Sequence, residues 1–347
     1  MTIRTSLSKQ QIAWRVHRDF QLDPGSDDFG MVMHDALRVD LVQSLRCYAD
    51  LHKHWAAHVD SLAGHLKSRG ITHLLADTPY LTLAAAQAAN IPSAAICSLN
   101  WADILERCVR ASPQALQAAE ISSHALDAIL TQMRDAYTSA AIVIRPEPAI
   151  ETTGFETVTT EPLVEMPPEP NRTCLMEFVR SQIGDYLGDH DDCLIVLTSM
   201  GGIGLALHPA KWPTECLGRK VIYLTDPAVA GQCPHAVGFN LEKLGFSQMM
   251  TSCDAVLTKP GYGMFVESRA CGKPMLYIAR DDWPESACLE TWAAMHTIAR
   301  KLSLEQVVRG EFSHELAKLL ESPKLNRQHF TGADTAAQVL SKQLFGL

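Results

Sequence analysis

Apolar residues follow two alternating patterns along this chain: short unbroken runs, and longer stretches in which apolar positions fall three or four residues apart. The first pattern marks buried strands and the second amphipathic helices. Strands are predicted over residues 3–5, 72–76, 94–97, 141–144, 194–197, 221–224, 255–257 and 275–278. Between them lie predicted helices, including one that Ser6 or Ser8 caps and that runs to 16, a single long one over 40–70, a helix or helix pair over 115–137, and others over 80–89, 175–187 and 246–253. A helix also follows Trp283-Pro284-Glu285. Ser303 and Gln306 have capping-box spacing and open a helix to 309. Further helices follow over 315–320 and 333–345, the last placed either on its own half or back across the amino-terminal one. Strands joined through helices form parallel sheets, so the class is α/β. A tract over 145–173 carries Pro162, Pro167, Pro168 and Pro170, which marks a boundary. It divides the chain into two Rossmann-like domains, 1–165 and 172–347, with 166–171 as the linker.

In open parallel sheets ligands sit at the carboxyl ends of strands, and that is where the candidate chemistry falls. The stretch over 251–282 is the clearest βαβ unit. Its turn, Lys259-Pro260-Gly261-Tyr262-Gly263, has two glycines that let a backbone approach a ligand, and it opens a helix whose first amides attract an anion. Glu267, one turn into that helix, has the charge and position to accept two ribose hydroxyls; the plainer reading is an exposed Glu after a Gly-containing connection. Thr198, Ser199, Gly201 and Gly202 end another strand and offer hydroxyls and amides to a diphosphate. This second turn also contains a G-x-G, but Leu207 stands where a dinucleotide fingerprint needs Gly or Ala, and Pro209 and Pro213 interrupt the helix. Asp226 could imitate that fingerprint's ribose-binding acid. Asp77 follows the strand over 72–76 and reads either as a cleft carboxylate or as a helix cap. Histidines 52, 54, 58 and 65 sit on the long helix without an H-E-x-x-H motif, so a solvated face is the reading rather than zinc.

Composition narrows the field. The chain has 347 residues, 47% of them hydrophobic and 20% charged, with a net charge of -9. These are ordinary globular values, and the acidic balance with no basic tract argues against nucleic acid. No run of about 18 apolar residues could span a membrane. The start MTIRTSLSKQ lacks a signal peptide's apolar core, and the ten cysteines form no C-x-x-C pair. The expectation is a cytoplasmic protein without disulfides or a metal centre.

Thr258 to Gly263, Glu267, Gly272-Lys273-Pro274 and Arg280-Asp281-Asp282-Trp283-Pro284-Glu285 together resemble the donor-site signature of GT-B glycosyltransferases. They are most similar to predicted bacterial glycosyltransferases related to the N-terminal domain of L-arabinokinase, and more distantly to the lipid II N-acetylglucosaminyl transferase. The resemblance implies two Rossmann-like domains facing across a cleft, with the nucleoside-diphosphate sugar held by the carboxy-terminal one. It places the Gly-rich turn beside the nucleotide, Glu267 on the ribose, and Asp281, Asp282 and Glu285 on the sugar. It further implies an inverting, metal-independent transfer without a cofactor, to a small-molecule, lipid-linked or protein acceptor. Such relatives begin with a strand and a Gly-His-Gly turn, and the chain here starts at what looks like their second strand; either the chain lacks its natural start or a central element is lost, and in the second case the amino-terminal sheet has a gap at its centre. Asp77 is then the candidate general base, with His34 and Asp35 behind it. A nucleotide-sugar epimerase or hydrolase, or an inactive nucleotide-sugar-binding protein, stands as the alternative.

Overall fold

Strands form where the apolar runs lie, and they gather into separate sheets. The computed structural model describes residues 1–13, 15–188, 192–201, 205, 207–231 and 233–346. The strands are β1 (Thr2–Thr5), β2 (Gln21–Pro24), β3 (Leu74–Ala76), β4 (Ser93–Ile96), β5 (Ile142–Pro146), β6 (Val158–Thr160), β7 (Cys193–Ser199), β8 (Glu215–Cys216), β9 (Arg219–Thr225), β10 (Ala236–Gly238), β11 (Ala255–Thr258), β12 (Met275–Ile278) and β13 (Ala299–Leu302). In the carboxy-terminal half the order is β10-β9-β7-β11-β12-β13, all parallel, with β8 added antiparallel on β9. Every residue of β11 and β12 is buried, as expected for strands covered by helices on both faces. The chain winds outward from β7 through β9 to β10, then returns to β11 and winds the other way. This reversal puts a topological switch point between β7 and β11, and a crevice at their carboxyl ends.

The amino-terminal half has a parallel sheet in the order β3-β4-β5-β6, and β1 pairs with β2 apart from it. Strand β3 pairs with β4 on one side; among the described residues no strand pairs with its other side, and Leu75 is 54% exposed there. The expected gap in the sheet is therefore present. The link between the two parts is polar: Arg4 of β1 holds Asp27 at 2.8 Å, and Asp27 accepts from the Thr82 hydroxyl on the helix after β3.

Local expectations hold where caps and apolar spacing agree. The helix Tyr80–Ala89 has its expected bounds, Asn171 caps Arg172–Leu187, and the Ser303–Gln306 capping box is formed on both sides. The single helix over 40–70 is instead two, Leu41–Lys53 and Trp55–Ser68, broken at His54. The break lets neighbouring turns converge on one ring: His52 bonds Gln132 and the Tyr80 hydroxyl, and Trp55 lies with its ring centroid 5.7 Å from that of Tyr80. His65 pairs with Asp23, so neither histidine is part of a solvated face. The helix expected to reach 16 stops earlier, at Lys9–Ala13. An unanticipated helix, Trp101–Ala111, is capped by Asn100 and buries Ile104, Leu105, Cys108 and Val109.

Each half inserts a segment into the other's core. Trp283 packs in the amino-terminal cluster with Leu105, Cys108 and Val109, while Ala36 and Leu37 pack in the carboxy-terminal cluster with Val196, Leu257 and Ile278. The last helix, Gly332–Phe345, crosses to lie against β4, β5 and β6. These exchanges fix the two halves against each other along the crevice.

Candidate functional site

Two chain reversals meet at the switch point. Strand β7 ends in Thr198 and Ser199, and Gly201 follows in the left-handed region at φ 76°, a conformation that costs a residue with a side chain. Strand β11 ends beside it: Thr258 donates its hydroxyl to the Ser199 carbonyl at 2.8 Å. Lys259 then lies over both turns. Its Cε is 3.7 Å from where a Cβ would stand on Gly201, and its Nζ is 3.8 Å from the same position on Gly261. Gly261 caps the helix Tyr262–Ala270 without a side-chain bond, so its first-turn amides are open to an anion. Nearby, the buried Thr198 hydroxyl has no partner among the described residues. Gly202, also expected in this nest, lies outside the described residues.

The charges here are unbalanced. Burial, and then the neighbouring Arg280, push Lys259 down to about 8, against the opposing pull of Glu285. Arg280 is 5% exposed; burial lowers its pKa against the pull of Asp282, Glu285, Cys108 and Asp35, and its Nε has no hydrogen-bond partner among the described residues. Its guanidinium lies 4.1 Å from the Trp283 ring centroid, and Nη2 reaches only the Met33 sulfur at 3.7 Å. Among the described residues neither cation makes an ion pair with a carboxylate. Glu285, which acts on both cations, is 4% exposed, and burial raises its pKa. It accepts from the Ser98 hydroxyl and the Trp283 indole, both at 3.1 Å. A buried and a half-buried cation beside open amides form an arrangement that gains stability when an anion enters.

The loop after β12 divides its three expected sugar ligands. Asp282 accepts from the Val39 amide of the other half at 2.7 Å, and Glu285 bridges to Ser98, so both join the halves. Asp281 is at the surface, 3.5 Å from Lys301 of β13, and is not brought to Arg280. Pro260 is buried inside the turn, and the Tyr262 hydroxyl accepts from the Leu163 amide at 2.7 Å, which ties the turn to the inter-half segment. Glu267 Oε1 is 3.7 Å from the Cβ position of Gly263, and both carboxylate oxygens lie 3.1 Å from Arg15 of the amino-terminal half. It thus faces the other half, not the outer surface.

The opposite wall carries acids. Asp77 is solvent-accessible yet ringed by protein, and burial raises its pKa against the bond from Thr78. It does not cap the next helix, where Pro79 holds that position without a side-chain bond. The acidic loop after β2 brings a further carboxylate that the sequence did not single out. Burial, with added repulsion from Asp27 and Asp77, raises Asp28 to about 6 against the pull of the Trp101 indole. That indole N–H points to Asp28, but neither the Asp28 Oδ2 nor the Trp101 Nε1 completes an aligned bond. Of the other expected acids and bases, Asp35 is engaged: burial alone would raise it, but the Leu37 and Arg38 amides and the Arg38 guanidinium bring it below the usual carboxylate range. His34 is exposed, 3.8 Å from Asp40. The imitation NAD site also dissolves, because Asp226 caps its own short helix at Ala228.

No family model and no curated protein matches the chain. Solved structures do. The spinosyn forosaminyltransferase SpnP aligns with 99% of this chain and 86% of its own at 12% identity, TM-score 0.53. The glycotransferase of kitacinnamycin aligns with 94% and 83% at 16% identity, TM-score 0.53. Arabidopsis thaliana UGT89C1 complexed with UDP aligns with 99% and 92% at 12% identity, TM-score 0.50. The fold is that of GT-B glycosyltransferases. No helix among the described residues is long and apolar enough to cross a membrane.

Proposed function

We propose that this chain is a glycosyltransferase that takes a sugar from a nucleoside-diphosphate donor and passes it to an acceptor hydroxyl with inversion. One observation carries the reading: Lys259 and Arg280 lie near each other at the switch point with no carboxylate ion pair among the described residues, beside the open amides of the Tyr262–Ala270 helix. A departing diphosphate gains negative charge as the glycosidic bond breaks, and fixed donors placed before the reaction stabilise that charge most. Two protein cations supply what a divalent metal would otherwise supply. Glu267 takes the ribose hydroxyls, and Asp282 and Glu285 keep the loop by the sugar in place. On the facing wall the Asp28–Asp77 pair takes the acceptor's proton. With Asp28 raised to about 6, it is ionised at neutral pH and still basic enough to work. Support for a glycosyl donor comes from the fold and from the UDP complex of one structural neighbour. Closer kinship to relatives of the L-arabinokinase amino-terminal domain rests on the motif over 258–285, and a cytoplasmic setting on composition.

The test is thermal stability in the presence of uridine, deoxythymidine, guanosine, adenosine and cytidine diphosphates, with NAD as a control. One diphosphate at a hundred times its dissociation constant adds about 2.7 kcal/mol of stability, and NAD adds none. No shift with any diphosphate sinks the reading. Sugar release or transfer from the matching donor then divides an enzyme from a binding protein that keeps the same seat.

A further inference from the structure

The segment after β1 leaves its own sheet and lies on the carboxy-terminal half. Gln10 bonds Glu242 at 2.9 Å, His17 comes within 4.0 Å of Glu165, and a single nitrogen of Arg15 straddles both oxygens of Glu267 at 3.1 Å. Beneath this strap is a cavity of about 730 Å³, lined by Gln11 and Arg15 on one side and by Met166, Phe246 and Gln248 on the other. A small recess shared by Arg15, Ser247 and Glu267 joins it. Its size is within the range of small-molecule sites, and its lining of amides, an aromatic ring and aliphatic groups suits a heterocyclic base.

We propose that Arg15 sets the donor affinity of this protein by competing with the ribose for Glu267, so that Arg15, with the helix Lys9–Ala13, acts as a strap that the nucleoside must displace. The inference rests on the reading of Glu267 given above. A vicinal diol donates to the same two carboxylate oxygens that Arg15 now contacts, so each contact Arg15 keeps leaves Glu267 fewer acceptor sites for the ribose. Arg15 is 47% exposed and Glu267 21%, so the ion pair is partly solvated and weak enough to yield. A deeply buried pair would lock the site. A pair at this depth raises the threshold for entry without closing it.

The experiment measures hydrogen exchange of residues 9–13 in the unliganded protein, and nucleoside-diphosphate affinity by calorimetry, for the wild type, Arg15→Ala and Arg15→Lys. Exchange is expected to speed up in Arg15→Ala, and affinity to rise roughly two- to fivefold, the range set by partly exposed ion pairs. Arg15→Lys, which keeps the charge but not the fork, falls between them. Raising salt to about 0.5 M shortens the screening length and narrows the difference between wild type and Arg15→Ala. If the wild type binds and Arg15→Ala binds equally or more weakly, the competition is overturned while the donor site stands. Unchanged exchange in Arg15→Ala overturns it as well, because the strap is then held by other contacts. If no form binds any nucleoside diphosphate, the donor reading itself has failed and the gating role fails with it.

Discussion

Lys259→Met is expected to weaken nucleoside-diphosphate binding by roughly thirtyfold to several thousandfold, the range for truncating one partner of a buried charge pair. The fold should not suffer. Lys259 sits at about 8 in the folded protein, below the 10.5 of an unperturbed lysine, because burial and Arg280 disfavour its charge. Between those two values the unfolded chain binds a proton that the folded chain lacks, so the lysine's contribution to stability rises with pH across that window. Below pH 8 its cost is present in full, on the order of 3 kcal/mol before solvent screening. Methionine removes that cost, so the variant is expected to unfold at equal or higher denaturant concentration at pH 7 while losing the ligand. Wild-type affinity should also fall between pH 7 and 9 as the unliganded lysine loses its proton. Calorimetry at several pH values, with urea denaturation beside it, reads all three effects. A destabilised variant that binds normally would remove Lys259 from the site.

Asp28→Asn is expected to leave nucleoside-diphosphate affinity within about twofold and to slow sugar transfer, or donor hydrolysis with water as acceptor, by roughly 10²- to 10⁴-fold, the usual worth of a general base. The pH profile identifies the role. In the wild type the rate should climb through about pH 6 as Asp28 ionises, and that limb should vanish in the variant. Stability should move the opposite way from activity. The folded value lies above the ordinary 3.8, so the folded chain keeps a proton that the unfolded chain has lost between 3.8 and 6; stability is full below that window and falls as pH rises through it. Above pH 6 the cost is on the order of 1–3 kcal/mol, and asparagine relieves it. Gain of stability with loss of rate is the pattern of a strained functional group. Asp77→Asn serves as the comparison, and a larger rate loss there than in Asp28→Asn would transfer the role to Asp77.

The carboxy-terminal half was legible because its physics is local. Unbroken apolar runs such as 194–197 and 275–278 admit few structures other than buried parallel strands, and Gly261 and Gly263 mark the turn between helix and sheet. The capping-box spacing of Ser303 and Gln306 announced its helix. What the sequence withheld depends on residues far apart in the chain. Asp28 lies in an acidic, Gly-containing loop that reads as surface; only the fold brings Trp101 and Asp77 to it and removes water. Arg280 has no local mark of its lack of an ion pair, which goes with Met33 and Trp283 against it and Asp282 turned to Val39. The apolar stripe over 40–70 continues across His54, so the break could not be read from spacing; it follows from the tertiary pull of Tyr80 on His52 and Trp55. The helix Trp101–Ala111 does carry a local signal, in Asn100 and the stripe through Ile104, Leu105 and Cys108.

The most direct measurement is a calorimetric titration of the wild-type protein with one matched set of ligands: the best nucleoside, its monophosphate and its diphosphate. If Lys259, Arg280 and the open helix amides form a seat for the departing diphosphate, the diphosphate binds at least about a hundredfold tighter than the bare nucleoside, with the monophosphate between them, as expected for phosphate charge entering a partly desolvated cationic site. Equal affinity across the three, or binding of none, would contradict it.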